Sequence, residues 1–203
     1  MIKIIDYGMG NLHNVVRAFE AIGYKAEITR RKEDILKAKA VVLPGVGAFG
    51  DAMDNLEGLG LISPIKEVIA QGTPFLGICL GLQLLFEKSE EFGSRKGLGV
   101  FSGKVEKFSI PNYKIPHVGW NQLSFQKNTK LYDGLEEGVF QYFVHSYYVV
   151  TKKDKIVSTV TDYGIDFVSS VARDNVYAVQ FHPEKSGDKG LKILDNFAKK
   201  IVE

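Results

Sequence analysis

The chain predicts an α/β fold: a mixed, mostly parallel sheet flanked by helices, with antiparallel strands in its C-terminal half. Three observations carry this. Short apolar runs alternate with amphipathic helical stretches through the first half, an interval that implies parallel pairing with helices on both faces. From Lys104 onward the runs are β-branched or aromatic and are broken by turn residues instead of helices, which implies antiparallel finishing strands. A last amphipathic stretch, Lys189–Val202, closes the fold with Leu191, Leu194, Phe197, Ala198 and Ile201 on one face. At 203 residues, 45% hydrophobic and 25% charged, a single domain over 1–203 suffices to bury one sizeable core.

Taken in order, Lys3–Ile5 is the first strand, followed by the loop Asp6-Tyr7-Gly8-Met9-Gly10-Asn11, whose Asn11 is placed to cap a helix. That helix carries Leu12, Val15, Val16, Phe19 and Ile22 at helical spacing and stops at Gly23. Lys25–Thr29 and Ala40–Leu43 are the second and third strands. After Pro44-Gly45-Val46-Gly47 come helices near Asp51–Leu56 and at Leu61–Ala70. The fourth strand runs into Cys79, a helix is expected over Leu80–Glu87, and the charge run Glu87-Lys88-Ser89-Glu90-Glu91 reads as its solvated end. The later strands are Lys104–Phe108, Gln122–Phe125, Phe140–Val144, Tyr147–Val150, Ile156–Thr161, Phe167–Ala172 and Val176–Phe181. Binding loops of such sheets gather at the carboxyl ends of the parallel strands, where the glycine-containing loops lie.

Several function classes are excluded early. A formal charge of +2 is too weak to argue for nucleic acid or an anionic membrane. The first strand is too short for a signal or membrane segment, so with one cysteine a reducing cytoplasm is the expectation. Gly8-Met9-Gly10 is not a dinucleotide fingerprint, because His13 stands where a third small residue belongs. His13, His117, His145 and His182 are not paired at ligand spacing, so no metal is expected.

The chemistry centres on Gly77-Ile78-Cys79-Leu80-Gly81. Glycines two before and two after the cysteine make the pattern of a nucleophile elbow with sulfur in place of oxygen. Without a Cβ, each glycine lets neighbouring backbone approach the turn. A lone cysteine is more often inert core, so a base must be found. His182 follows an apolar strand and precedes Pro183-Glu184. In an extended segment residues two apart share a side, about 6.5–7 Å apart. Glu184 can then bend back to one imidazole nitrogen while the other faces the thiol, as an orienting third member does. An oxyanion hole needs one donor from Leu80 and one from another loop; Val46 or Gly47 can supply it, or their loop is a plain βα turn.

Gly77-Ile78-Cys79-Leu80-Gly81-Leu82-Gln83 with His182-Pro183-Glu184 resembles the triad, class I glutamine amidotransferases. Pro44–Gly50, Pro116-His117-Val118-Gly119-Trp120-Asn121, Phe143-Val144-His145-Ser146-Tyr147 and the extension to Lys185-Ser186 look like the family of glutaminase subunits of imidazole glycerol phosphate synthase. The resemblance covers essentially the whole chain. It implies a flavodoxin-like three-layer fold and catalysis by Cys79, His182 and Glu184 through a γ-glutamyl thioester. Gln83 and the backbone around Gly47, His145, Ser146 and Tyr147 would hold glutamine, without a cofactor. It also implies a heterodimer with a (β/α)8 barrel cyclase that receives the ammonia, faced by Tyr7, Gly8, Met9, Gly10, Asn11, Trp120, Asn121 and Lys185. Two other readings stand beside it: a stand-alone Cys–His–Glu hydrolase of γ-glutamyl or peptide bonds, and a non-catalytic binding subunit of the same fold.

Overall fold

A computed structural model describes residues 1–202, without the side chain of Lys200; Glu203, the last residue of the expected domain, lies outside the described residues. In chain order the elements are β1 (Ile2–Ile5), α1 (Leu12–Ala21), β2 (Ala26–Thr29), α2 (Lys32–Leu36), β3 (Ala40–Gly45), α3 (Phe49–Gly58), α4 (Ile62–Ala70), β4 (Phe75–Cys79) and α5 (Leu80–Leu84). There follow β5 (Phe86–Ser89), β6 (Arg95–Lys96), β7 (Phe101–Lys107), β8 (His117–Gln122), β9 (Ser124–Phe125), β10 (Phe140–His145) and β11 (Tyr147–Val150). The chain ends with β12 (Val157–Asp162), β13 (Asp166–Arg173), β14 (Val176–Val179) and α6 (Gly187–Asn196), which continues as a π-helical turn over Phe197–Val202.

The main sheet runs β2-β1-β3-β4-β14-β13-β11-β7-β5-β6, with β12 and β9 branching from β13. Its first five strands are parallel, and β13, β11 and β7 then alternate antiparallel. Side-chain alternation explains why both faces need cover. On β3, Val41 and Leu43 point into the core beneath α2 to α5, while Ala40 and Val42 point into the core beneath α1 and α6. On β4, Phe75 faces the first core, and Leu76 and Ile78 face the second. Each fully buried Phe, Leu or Ile side chain contributes about 1.5–3 kcal/mol, so the sandwiched sheet supplies most of the driving force. The mixed, mostly parallel sheet between helices agrees with the fold predicted from sequence.

Four local expectations are corrected. The helix after Cys79 is not Leu80–Glu87: α5 stops at Leu84, and Phe86–Ser89 forms a strand parallel to β7, with Phe86 packed on Phe101 at 5.7 Å between ring centroids. The charge run is therefore no solvated helix end. The strand expected over Gln122–Phe125 breaks at Leu123, since β8 belongs to a separate ribbon with β10 and β9 pairs with β12. Asn11 occupies the N-cap position of α1 without a capping side-chain hydrogen bond. Residues 183–185 are not extended but close a 3₁₀ turn.

Candidate active site

Strand β4 ends abruptly. Cys79 has φ +55° and ψ −109°, a left-handed conformation that costs a non-glycine residue strain and is held here by its surroundings. The glycines on either side are needed for space. A Cβ on Gly81 would stand 1.8 Å from the carbonyl oxygen of Leu43, and one on Gly77 would stand 2.8 Å from the carbonyl oxygen of Gly81. Gly45, the last residue of β3, pairs with Cys79 across the parallel ladder. Val46 and Gly47 therefore leave the sheet directly beside the sulfur. Gly47 has φ +89°, and the methyl of Met9 rests 2.6 Å from where its Cβ would be.

His182 reaches the same place from the far end of the chain because β14 inserts parallel to β4, with Val179 opposite Ile78. The chain then runs on through Gln180 and Phe181. The amide of His182 donates to the carbonyl of Tyr142 at 2.9 Å, and Ser186 Oγ donates to the carbonyl of His182 at 2.6 Å. The 3₁₀ turn brings Glu184 back onto the ring: His182 Nδ1 lies 2.7 Å from Glu184 Oε1, with both side chains buried. Burial opposes a charged imidazole, but the nearby Cys79 and the Glu184 carboxylate bonded at Nδ1 outweigh it and lift the His182 pKa to about 10. The ring is thus positive at neutral pH. The thiol is near enough to raise it, yet Nε2 closes no hydrogen bond among the described residues.

Cys79, Leu80, Val46, Gly47, Gln83 and His182 line one open cleft of about 450 Å³, together with His145, Ser146, Tyr147, Lys185 and Glu91. Gln83 Nε2 donates to the carbonyl of Tyr147 and to Gln180 Oε1, each at 3.0 Å. His145 Nδ1 donates to the same carbonyl at 2.8 Å. Its Nε2 lies 3.1 Å from Nδ1 of His117, and desolvation holds both rings neutral, pushing His117 down to about 4 and His145 to about 3. Among the described residues no cluster of His, Cys, Asp and Glu is arranged to hold a metal ion.

The residues expected at a partner face divide. Tyr7 is corrected: its side chain is 1% exposed and its hydroxyl packs under the elbow, 2.3 Å from a Cβ built on Gly45. Gly8 and Asn11 are exposed, Met9 and Gly10 half-buried. Trp120 is 55% exposed, its ring edge-on to Tyr142 across the β8–β10 ribbon. Val118 and Phe140 are exposed on the same ribbon, while Asn121 is half-buried and Lys185 exposed.

Residues 3–201 match the family model for "Glutamine amidotransferase class-I". The chain is 56% identical over 198 residues to the imidazole glycerol phosphate synthase subunit HisH of Aquifex aeolicus, covering 97% of this chain and 95% of that one. The chain belongs to the HisH family of class I glutamine amidotransferases. The HisH subunit of Caldanaerobacter subterraneus is 51% identical over 201 residues, with 99% and 98% coverage. A solved glutamine amidotransferase superposes with a TM-score of 0.75 at 20% identity, over 97% of this chain and 98% of that one. A chain in the structure of PurLQS from Thermotoga maritima gives 0.77 at 19%, over 98% and 97%. At such identities these two speak for the fold alone.

Within this HisH-family chain, the motifs leave out Glu91, which lines the cleft, and Gln180, which is buried against Cys79. Glu91 was part of a charge run, yet it is buried, accepts the Phe49 amide at 2.7 Å and so closes the N-terminus of α3 beside the cleft. No pattern marks it. Gln180 had a signal: it is the one amide in the apolar run Val176–Phe181, two residues before His182 and so on its side of an extended chain.

Proposed function

We propose that the chain is a single glutamine amidotransferase domain that hydrolyses L-glutamine to glutamate and ammonia, the glutaminase subunit of an imidazole glycerol phosphate synthase in histidine biosynthesis. The observation that carries this reading is the convergence of a strained elbow cysteine and a buried, hydrogen-bonded His182–Glu184 pair on one cleft. Sulfur of Cys79 attacks the side-chain amide carbon of glutamine, with the positive ring of His182 as the partner of its anionic form. The amides of Leu80 and of Val46 or Gly47 stabilise the oxyanion. As the tetrahedral intermediate collapses, Nε2 of His182 gives its proton to the departing nitrogen and ammonia leaves, with a γ-glutamyl thioester on Cys79. Neutral His182 next takes a proton from water, which attacks the thioester and releases glutamate. Glu184 keeps the ring in one orientation throughout. Gln83 and the Ser146–Tyr147 backbone hold the amino-acid end of glutamine, and the Glu91 carboxylate complements its ammonium group.

The ammonia is used by a second subunit, a (β/α)8 barrel cyclase, docked on the face formed by Gly8–Asn11, Trp120, Asn121 and Lys185. The exposed apolar side chains of Val118, Trp120 and Phe140 support a protein partner there. No described helix is long and apolar enough to cross a membrane, and a free catalytic thiol suits a reducing cytoplasm. The test is a glutamate-release assay on the chain alone and with the cyclase and its nucleotide ligand. Slow hydrolysis that rises by orders of magnitude with the partner is expected; full activity in isolation points to a stand-alone hydrolase. Cys79→Ala is expected to abolish glutamine-dependent synthesis by the complex and to leave synthesis from ammonium salts. Loss of both would make Cys79 a structural residue.

A further inference from the structure

A fully buried amide sits against the sulfur. Gln180 is 0% exposed, and its Nε2 lies 3.7 Å from Cys79 Sγ, within range of an N–H···S hydrogen bond. Which end of an amide faces a neighbour is often ambiguous, but here it is forced from outside. The backbone carbonyl of Tyr147 can only accept, so the amide end of Gln83 that meets it must be the nitrogen. The same nitrogen meets Gln180, so Gln180 must present its oxygen there. That leaves only the NH2 of Gln180 to face Cys79.

The Tyr147 carbonyl is itself fixed from the other side. His145 Nδ1 donates to it, which leaves His145 Nε2 to accept from His117 Nδ1; His117 Nε2 then faces the amide nitrogen of Asn121 at 3.4 Å. That amide also donates to the carbonyl of Asp162 at 2.8 Å. The polarities along this chain of bonds, from Asn121 on the β8 ribbon to the sulfur, are set by two backbone carbonyls, that of Asp162 at one end and that of Tyr147 in the middle. We propose that Gln180 is a further catalytic residue, donating its side-chain N–H to the Cys79 thiolate, and that Gln83 holds it in that orientation from the Tyr147 carbonyl. A donor on the sulfur favours the anion over the neutral thiol and lowers the cost of expelling sulfur when the thioester breaks. The inference rests on Cys79 being the nucleophile, but its test reads the sulfur directly, without turnover.

Cys79 is the only cysteine, so alkylation by iodoacetamide reports on it alone. In the isolated chain without glutamine, Gln180→Met keeps the volume and removes the donor. Its alkylation profile is expected to move up by about one pH unit, with a reaction about tenfold slower below the inflection. Gln180→Glu places an acceptor there and is expected to move the profile further. Profiles that coincide with the wild type in folded variants overturn the proposal. Should neither variant fold, the wild-type chain decides: the Gln180 side-chain ¹⁵N–¹H resonance is expected to shift as Cys79 ionises and to stop responding in Cys79→Ala. A resonance indifferent to Cys79 also overturns it. Failure of the glutaminase reading shows separately, as turnover that survives Cys79→Ala.

Discussion

Nδ1 of His182 lies 2.7 Å from Oε1 of Glu184, and both side chains are buried. A carboxylate so placed sets which ring nitrogen faces the cleft and stabilises the charged ring, without touching the reacting atoms. Removing the ring and removing its orienting partner should therefore differ. His182→Ala is expected to cut glutamine hydrolysis on the order of 10⁴-fold, and Glu184→Ala by at least about tenfold less, with KM little changed in either. Steady-state kinetics of the two variants decide; equal losses contradict the assigned roles.

Gly81 has no room for a side chain, because the Leu43 carbonyl oxygen occupies the site of its Cβ. Backbone on both sides must move to admit a methyl group. Gly81→Ala is expected to lower stability by about 2–4 kcal/mol in urea unfolding and to displace Cys79. A variant of wild-type stability and activity would show that the elbow is looser than described.

The neutral histidine pair makes stability sensitive to acid. In the fold His117 and His145 stay neutral down to about 4 and about 3, whereas in the unfolded chain both take up protons near the ordinary value of 6.5. The unfolded state then binds more protons, so stability falls as pH drops below about 6.5, by up to about 1.4 kcal/mol per pH unit for each ring. His182 acts in the opposite sense: raised to about 10, it contributes stability that is present below about 6.5 and lost as pH rises through about 10. Urea midpoints measured from pH 4.5 to 10 read both limbs. The double variant His117→Gln, His145→Gln is expected to flatten the acid limb; an unchanged slope assigns it to other groups.

Trp120 is half exposed, and its loss should cost the fold little. As the large aromatic of the apolar ribbon face it is the natural centre of the partner contact. Trp120→Ala is expected to weaken binding of the cyclase by about 1–3 kcal/mol in calorimetric titration, with the melting temperature nearly unchanged. Undiminished affinity would move the docking face elsewhere.

The amino-acid sequence alone determined the parallel half of the sheet, because apolar alternation and helix-length spacers are local signals. It also singled out Cys79, His182 and Glu184 as candidates, since a glycine-flanked cysteine and a His-Pro-Glu run after a strand are legible as letters. What it missed depends on neighbours distant in the chain. That α5 gives way to a strand was decided by Phe86 finding Phe101 across a parallel pair. Tyr7 disappeared under the elbow because Gly45 leaves space for its hydroxyl there. Glu91 joined the cleft only when α3 needed an acceptor, and Gln180 came against the sulfur only when β14 slid in beside β4. Local periodicity encodes which face of an element is apolar; which elements then become neighbours, and hence which buried polar atoms must satisfy one another, is a property of the folded whole.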